Sequence, residues 1–186
     1  MMARVRLSRL LALGLGLALS LPVMAHADGD GHGDGVVIAE PTEQFGFAIG
    51  IGVNPWYGIL DPEAMALAAI DEAMRNVVCV GADPRQAALL DNFSWGNPKR
   101  QTTLGELVAA VDGCCSGSLA FGAPFVSGKD SLNNEYRTAS GQRIAIPGTL
   151  LISAMAYHPD IRHSQTSDLK QAGNLLYIVG TTTNTL

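Results

Sequence analysis

The 186-residue sequence has few cysteines, few aromatic residues and no excess of positive charge. Its three cysteines, Cys79, Cys114 and Cys115, form no Cys-x-x-Cys pair and no disulfide framework, so we interpret them as small apolar residues in helices. A net charge of -5 argues against a nucleic-acid partner, because such proteins present a basic surface. The 21 glycines instead suit one α/β or α+β domain with many tight turns.

The longest apolar run, Leu10 to Val23, is too short to span a membrane comfortably, so we expect no membrane partner. Arginines precede it and Ala25-His26-Ala27 follows in small-x-small form, so residues 1–27 resemble a secretory leader. Residues 28–35 are rich in Asp and Gly, and they lack the closing Glu of a calcium loop, which favours a flexible linker. The leader predicts export, whereas a mis-assigned start or a fusion of coding segments would leave residues 36–186 as the natural domain.

Apolar periodicity divides residues 36–186 into strands and two long helices. Strands are predicted at 36–39, 45–53, 85–90, 123–126, 149–157 and 175–179, with a turn or loop at 54–58. The first helix has Asp61 as its N-cap and ends at Gly81. The second begins near Thr103, which forms a capping box with Glu106. Its predicted buried stripe comprises Leu104, Leu107, Val108, Val111, Cys115 and Leu119.

Two sets of oxygen-bearing side chains stand out in this region. Glu72 and Asn76 lie four residues apart on one face of the first helix, where they either form surface hydrogen bonds or bind a hard cation. Asp91 follows a buried run directly, so we expect it to face a ligand. The neighbouring Asn92 and Asn97 also suit an Asx turn, which is the alternative interpretation.

The stretch from Pro124 to Tyr136 changes from an apolar strand to a polar loop at Gly128. A glycine lets the backbone approach a phosphate closely. Lys129 offers a positive charge, Asp130 could hold a metal ion, and Ser131 could donate to an oxyanion. The spacing differs from that of a P-loop, and a polar surface turn is the alternative.

Three segments, 71–76, 90–98 and 127–135, occur in the order found in phosphoribosylformylglycinamidine synthase, which the chain resembles over residues 36–186. The resemblance is to the second aminoimidazole-ribonucleotide-synthetase-type N-terminal domain of its synthetase part. It implies an α+β fold, with a mostly antiparallel sheet, helices packed on one face, and pairing with a second sheet into a barrel. That family uses ATP to phosphorylate the amide oxygen of formylglycinamide ribonucleotide, and ammonia from glutamine then displaces the phosphate.

The resemblance implies a role for each matching position, with ATP and Mg²⁺ as cofactors. The shorter form of the family enzyme has a magnesium-linked Asn where this chain has Lys129, and the longer form shares Gly-Lys-Asp-Ser, so Asp130 becomes the suggested replacement. No catalytic residue is carried over. The implied contacts are Asp91, Gly128 and Lys129 for ATP, Ser131 for the substrate, and Glu72, Asn76 and Asp130 for magnesium.

The resemblance also implies a fragment that is inactive alone, because the family's other synthetase-type domain and its catalytic His are absent from these residues. The expected partners are a complementary synthetase domain or a second copy, and a glutamine amidotransferase as the ammonia source. A purine-pathway role predicts a cytoplasmic protein, and cleavage after Ala27 with export would overturn that expectation. The alternatives are an exported non-catalytic binding module, or an ATP-using relative of the thiamine-monophosphate kinase or selenophosphate synthetase type.

Overall fold

The computed structural model describes residues 35–39, 42–178 and 180–181. The predicted leader and all of the predicted linker except Gly35 lie outside these residues. The strands are β1 (Gly35–Ala39), β2 (Gly46–Val53), β3 (Asp83–Trp95), β4 (Phe125–Leu132), β5 (Glu135–Arg137), β6 (Arg143–Ala145) and β7 (Thr149–His158). The helices are α1 (Pro55–Leu60), α2 (Pro62–Cys79) and α3 (Gln101–Phe121), with a 3-10 turn at Ile161–His163.

Five strands form the main sheet in the order β1-β2-β7-β3-β4, and β5 and β6 form a separate ribbon. Adjacent strands of the main sheet are antiparallel, except that β3 and β4 run parallel through the crossover helix α3. The core lies between the sheet and the two long helices, where Leu89, Leu150 and Ile152 are fully buried. The predicted α+β fold, with a mostly antiparallel sheet covered on one face, is confirmed.

Helix α2 lies unusually close to β2 because the facing residues of that strand are small. A Cβ atom added to Gly50 would lie 2.5 Å from the Ala73 carbonyl oxygen and 2.8 Å from Asn76 Cβ. The helix begins as predicted, since the Asp61 side chain accepts a hydrogen bond of 3.0 Å from the backbone N–H of Ala64. These two features fix where α2 begins and how closely it packs on the sheet.

Helix α3 packs through a face that the sequence did not predict. Its buried residues are Ala110, Gly113, Cys114 and Gly117, while most of the predicted stripe is exposed. The reason is the close approach to α2, where a Cβ on Gly113 would lie 2.5 Å from the Glu63 carbonyl oxygen. The predicted capping box is also wrong, because Arg100 is the N-cap and forms no side-chain capping bond. Among the described helices, α3 has the length and composition of a membrane span.

Four other local predictions are wrong. The predicted loops after Leu90 and Gly128 continue as strands, because β3 and β4 supply a hydrogen-bonded ladder to each other from Leu90 to Trp95. Residues 54–58 were expected to form a turn, but Pro55 begins α1. The described part of the predicted strand at 175–179 is not a strand, and no described strand lies beside these exposed residues. The short ribbon strands β5 and β6 were missed.

We predict that Gly50→Ala destabilises the fold by about 1–3 kcal/mol, because the new methyl group must displace backbone atoms of α2. The matched control is Gly105→Ala on α3, where a Cβ would meet no atom within 4 Å. Because alanine is more favourable than glycine in a helix interior, this control variant should be more stable by about 0.5–1 kcal/mol. Urea unfolding measures both changes, and equal stability of the two variants would contradict the packing described for α2.

Candidate functional site

The centre of the candidate site is the contact between Asp91 on β3 and Gly128 on β4. The two residues are register partners in the parallel ladder, so they lie on the same face of the sheet. A Cβ on Gly128 would lie 2.6 Å from Asp91 Cγ, so only glycine leaves room for the carboxylate. Their proximity agrees with the shared ATP contact that the family resemblance implied for Asp91 and Gly128.

Asp91 and Gly128 open into a cavity between the sheet edge and α3, which we call the aspartate pocket. Its volume is about 450 Å³. It has a second carboxylate, Asp130, which lies on the same face of β4 as Gly128. The pocket thus combines two acidic groups with a largely apolar wall. Its lining residues are Asp91, Phe93, Val111, Cys114, Cys115, Phe125, Gly128 and Asp130.

The electrostatics of the aspartate pocket favour a cation. Burial raises the pKa of the Asp91 carboxyl, the charge of Asp130 raises it further, and a hydrogen bond from the Lys129 backbone opposes both effects. A divalent ion would offset the repulsion between the two carboxylates, and carboxylate oxygens are ligands that Mg²⁺ accepts. Burial raises the pKa of the Cys114 thiol to about 12, so this side chain is a neutral wall of the pocket rather than a nucleophile.

Lys129 and Ser131 do not join the aspartate pocket. Strand alternation places both side chains on the opposite face of β4, where the Lys129 ammonium donates a hydrogen bond to the Ser131 hydroxyl. Lys129 therefore contributes to the Asp91 environment through its backbone, not through its charge. Ser131 follows the pocket residue Asp130 in sequence, but its side chain faces the side of the sheet that the helices leave open.

Glu72 and Asn76 bind the edge of β2 instead of the aspartate pocket. Glu72 Oε2 accepts hydrogen bonds of 2.8 Å from the Val53 N–H and from Asn54 Nδ2. Asn76 Nδ2 donates a 2.8 Å bond to the Ile51 carbonyl oxygen. Strand β7 separates β2 from β3, so at the usual strand spacing β2 itself lies about 10 Å from the strand that carries Asp91. The seven predicted residues therefore do not converge on one point.

Sequence reasoning missed the apolar wall of the pocket, which includes Phe93, Phe125 and Cys114. One signal could have found part of it. Phe93 and Trp95 alternate with the polar residues Asn92 and Ser94, which is the period of a strand. That pattern places Phe93 on the same face as Asp91. The side of α3 that carries Cys114 had no comparable signal, because glycines rather than large apolar residues mark it.

Comparisons with known proteins agree with this architecture. The family model for the AIR synthase related protein, N-terminal domain, matches residues 27–149. The phosphoribosylformylglycinamidine synthase subunit PurL of Deinococcus radiodurans is 36% identical over 144 residues, which cover 77% of this chain and 19% of that protein. The PurL subunit of Zymomonas mobilis is 37% identical over 145 residues, which cover 78% of this chain and 19% of that protein.

Solved structures give the same fold at lower sequence identity. A structure of PurLQS from Thermotoga maritima has a TM-score of 0.61 and 20% identity, covering 73% of this chain and 21% of that one. T. maritima PurL complexed with ATP has a TM-score of 0.56 and 22% identity, and the match covers 67% of this chain and 20% of that one. The chain therefore spans about a fifth of the length of the relatives that it matches.

We predict that Asp91→Asn is more stable than the unmodified chain at pH 7. The raised pKa of Asp91 means that ionisation opposes folding, so stability falls as the pH rises from 3.8 through the folded-state pKa. The advantage of the amide should therefore vanish below pH 3.8, where the carboxyl is protonated in both states. Thermal unfolding at the two pH values measures this, with Asp112→Asn on the exposed side of α3 as the control. A less stable Asp91→Asn at pH 7 would refute the argument.

Proposed function

The chain belongs to the AIR synthase related protein family, as an N-terminal domain, and on that premise we propose that it supplies a nucleotide-binding half-site to an ATP-dependent synthetase. The reaction is the amidation of formylglycinamide ribonucleotide to formylglycinamidine ribonucleotide in purine biosynthesis. This choice is supported by the curated relatives, which are PurL subunits of phosphoribosylformylglycinamidine synthase. Further support comes from T. maritima PurL structures of the same fold, complexed with ADP, ATP or FGAR.

The observation that carries the proposal is the position of Asp91 against Gly128 in the aspartate pocket. The absence of a side chain at Gly128 lets the Asp91 carboxylate lie directly against the backbone of β4, so a nucleotide would reach this site through a cation that the carboxylates hold. The apolar wall lowers the local dielectric, which strengthens any interaction between a bound group and the two carboxylates. In this proposal Asp91 orients the nucleotide, and Lys129 contributes to the nucleotide site through its backbone.

Magnesium fits the acidic groups of this chain. Asp91 and Asp130 would hold one ion in the aspartate pocket, because two carboxylates there repel each other in its absence. Glu72 and Asn76 would hold a separate ion at an auxiliary position. Their bonds to β2 use Glu72 Oε2 and Asn76 Nδ2, which orients Glu72 Oε1 and Asn76 Oδ1 as the oxygens for such an ion. Bound magnesium would neutralise charge on the nucleotide phosphates.

The substrate contact is proposed at Ser131, on the open face of the sheet edge. Because β4 is the edge strand, groups on its two faces can reach the same ligand around that edge. The ammonium of Lys129 holds the Ser131 hydroxyl and so limits its rotation. The chain would thus hold the nucleotide on one face of β4 and the substrate at the other.

The proposed partners complete this half-site. A complementary synthetase domain or a second copy would cover the open face, where Ile51, Val53 and Met155 are exposed, and the two sheets would close into a barrel. A glutamine amidotransferase would supply ammonia, and the structural relative named PurLQS is consistent with such an assembly. A location in the cytoplasm follows from the proposed pathway.

We predict magnesium-dependent binding of ATP by the full chain, weakened at least about tenfold by Asp91→Ala, since a charge-assisted contact is lost. Isothermal titration calorimetry with and without EDTA measures the ATP affinity and its dependence on magnesium. Asp112→Ala is the control, because it removes the same charge from an exposed site on α3. The absence of binding at millimolar ATP, or equal binding by the Asp91 variant, would leave this domain with a purely structural role.

We also predict that the chain self-associates when its partner domain is absent, through the open face of the sheet. Ile51→Glu should shift the chain towards a monomer, because the side chain is 44% exposed on that face. Leu169→Glu, in a loop where the side chain is 78% exposed, is the control. Light scattering at high concentration measures the mass. A monomer before any substitution would contradict the proposed sheet pairing.

A further inference from the structure

A second cavity lies beyond the carboxyl ends of the parallel strands β3 and β4, outside the aspartate pocket. We call it the polar cleft, and its volume is about 320 Å³. The turn after β3, the turn after β4 and the β5–β6 ribbon enclose it. Its lining residues are Asn97, Asn133, Glu135, Tyr136, Arg137 and Arg143.

Two arginines face each other across the ribbon. Arg137 on β5 is the direct register partner of Arg143 on β6, so both side chains lie on the same face. Like charges at such positions destabilise a strand pair. Within the described part of the chain, neither guanidinium forms an ion pair. The ribbon therefore maintains a repulsive pair whose charges an anion would neutralise.

The ribbon turn fixes the backbone separation of the two arginines. The Thr138 N–H donates to the Gln142 carbonyl oxygen at 2.8 Å, and the Gln142 N–H donates to Thr138 Oγ1 at 3.0 Å. Gly141 adopts a φ of 86°, which permits the tight reversal between them. The two guanidinium groups are thus attached to a short, closed hairpin rather than to a flexible loop.

Glu135, the one carboxylate among the described residues that line the polar cleft, already has hydrogen-bond partners. Glu135 accepts hydrogen bonds from Arg100 and, at 2.9 Å, from the Asn97 N–H. These contacts lower the pKa of the Glu135 carboxyl, and the charges of Arg100 and Arg143 lower it further. Three arginines against one glutamate leave two positive charges, although the whole chain has a net charge of -5.

Asn133 adds a strained backbone to the same cleft. Its φ of 78° is the only positive value of a non-glycine residue in the described residues. Backbone bonds hold it there, from Asn133 N–H to the Gly96 carbonyl oxygen at 3.1 Å and from Asn134 N–H to the Trp95 carbonyl oxygen at 2.8 Å. Such conformations persist only where the surrounding structure over-determines them, and they cluster at binding sites.

We propose that the polar cleft binds the phosphate group of a small phosphate monoester, with Arg137 and Arg143 as the charged contacts and Asn97 and Asn133 as amide contacts. Arginine suits this task because its planar guanidinium matches phosphate oxygens in pairs. Ser131 lies two residues before Asn133, and Asn134 Nδ2 donates to the Ser131 carbonyl oxygen at 3.0 Å. The identification of the ester as the ribonucleotide substrate rests on the proposed function, whereas the anion site itself does not.

The test titrates the full chain with ribose 5-phosphate, ribose and ATP at low ionic strength, and measures the dissociation constants by calorimetry. Ribose 5-phosphate should bind and ribose should not. Arg137→Gln and Arg143→Gln should each weaken ribose 5-phosphate binding about tenfold or more. The control Arg75→Gln removes an equal charge from an arginine that already pairs with Asp71, and it should leave binding unchanged.

Thermal unfolding of each variant separates lost binding from lost folding. Arg143→Lys should bind ribose 5-phosphate more tightly than Arg143→Gln, because lysine restores the positive charge. Equal binding by all three glutamine variants would overturn the proposal, and so would an equal loss in Arg75→Gln. Loss of ATP binding alone in the two ribbon variants would overturn the sugar-phosphate assignment. Asp91→Ala should still bind ribose 5-phosphate, so failure of the nucleotide proposal and failure of this one give different results.

Discussion

The parallel ladder between β3 and β4 is the interaction on which both cavities depend. It places Asp91 beside Gly128, and it carries both strands forward until they end together at Trp95 and Leu132. The aspartate pocket opens along this ladder, between the strands and α3, and the polar cleft opens at its end. A parallel pair needs a long crossover, and α3 is that crossover, so the same helix that connects the strands also walls one of the cavities.

The close packing of α2 on β2 also positions side chains, in the part of the sheet near its β1 edge. Because β2 presents glycine and alanine to the helix, the backbones approach until Glu72 and Asn76 reach the free edge groups of the strand. These two side chains therefore contribute to sheet stability whether or not they also bind a cation. Their separation from Asp91 by β7 means that any ion they hold is distinct from one in the aspartate pocket.

The sequence predicted helix α2 with its Asp61 cap, and the family resemblance implied the α+β fold and a shared nucleotide contact for Asp91 and Gly128. Sequence prediction failed where tertiary contacts override local signals. Turn-forming residues around Asp91 and Gly128 suggested loops, but the ladder draws both segments into strands. Large apolar residues suggested the buried face of α3, although close helix packing selects the small ones. The three-residue strands of the ribbon are too short to show any periodicity.

The strand order β1-β2-β7-β3-β4 has a consequence for how the domain can be divided. Its middle strand, β7, is the last of the five in the chain, and it alone joins the β1–β2 hairpin to the β3–β4 pair through hydrogen bonds. A truncation before Thr149, where the family match also ends, would leave two disconnected strand pairs. The smallest autonomous unit therefore extends at least to His158, and folding must await the synthesis of its central strand.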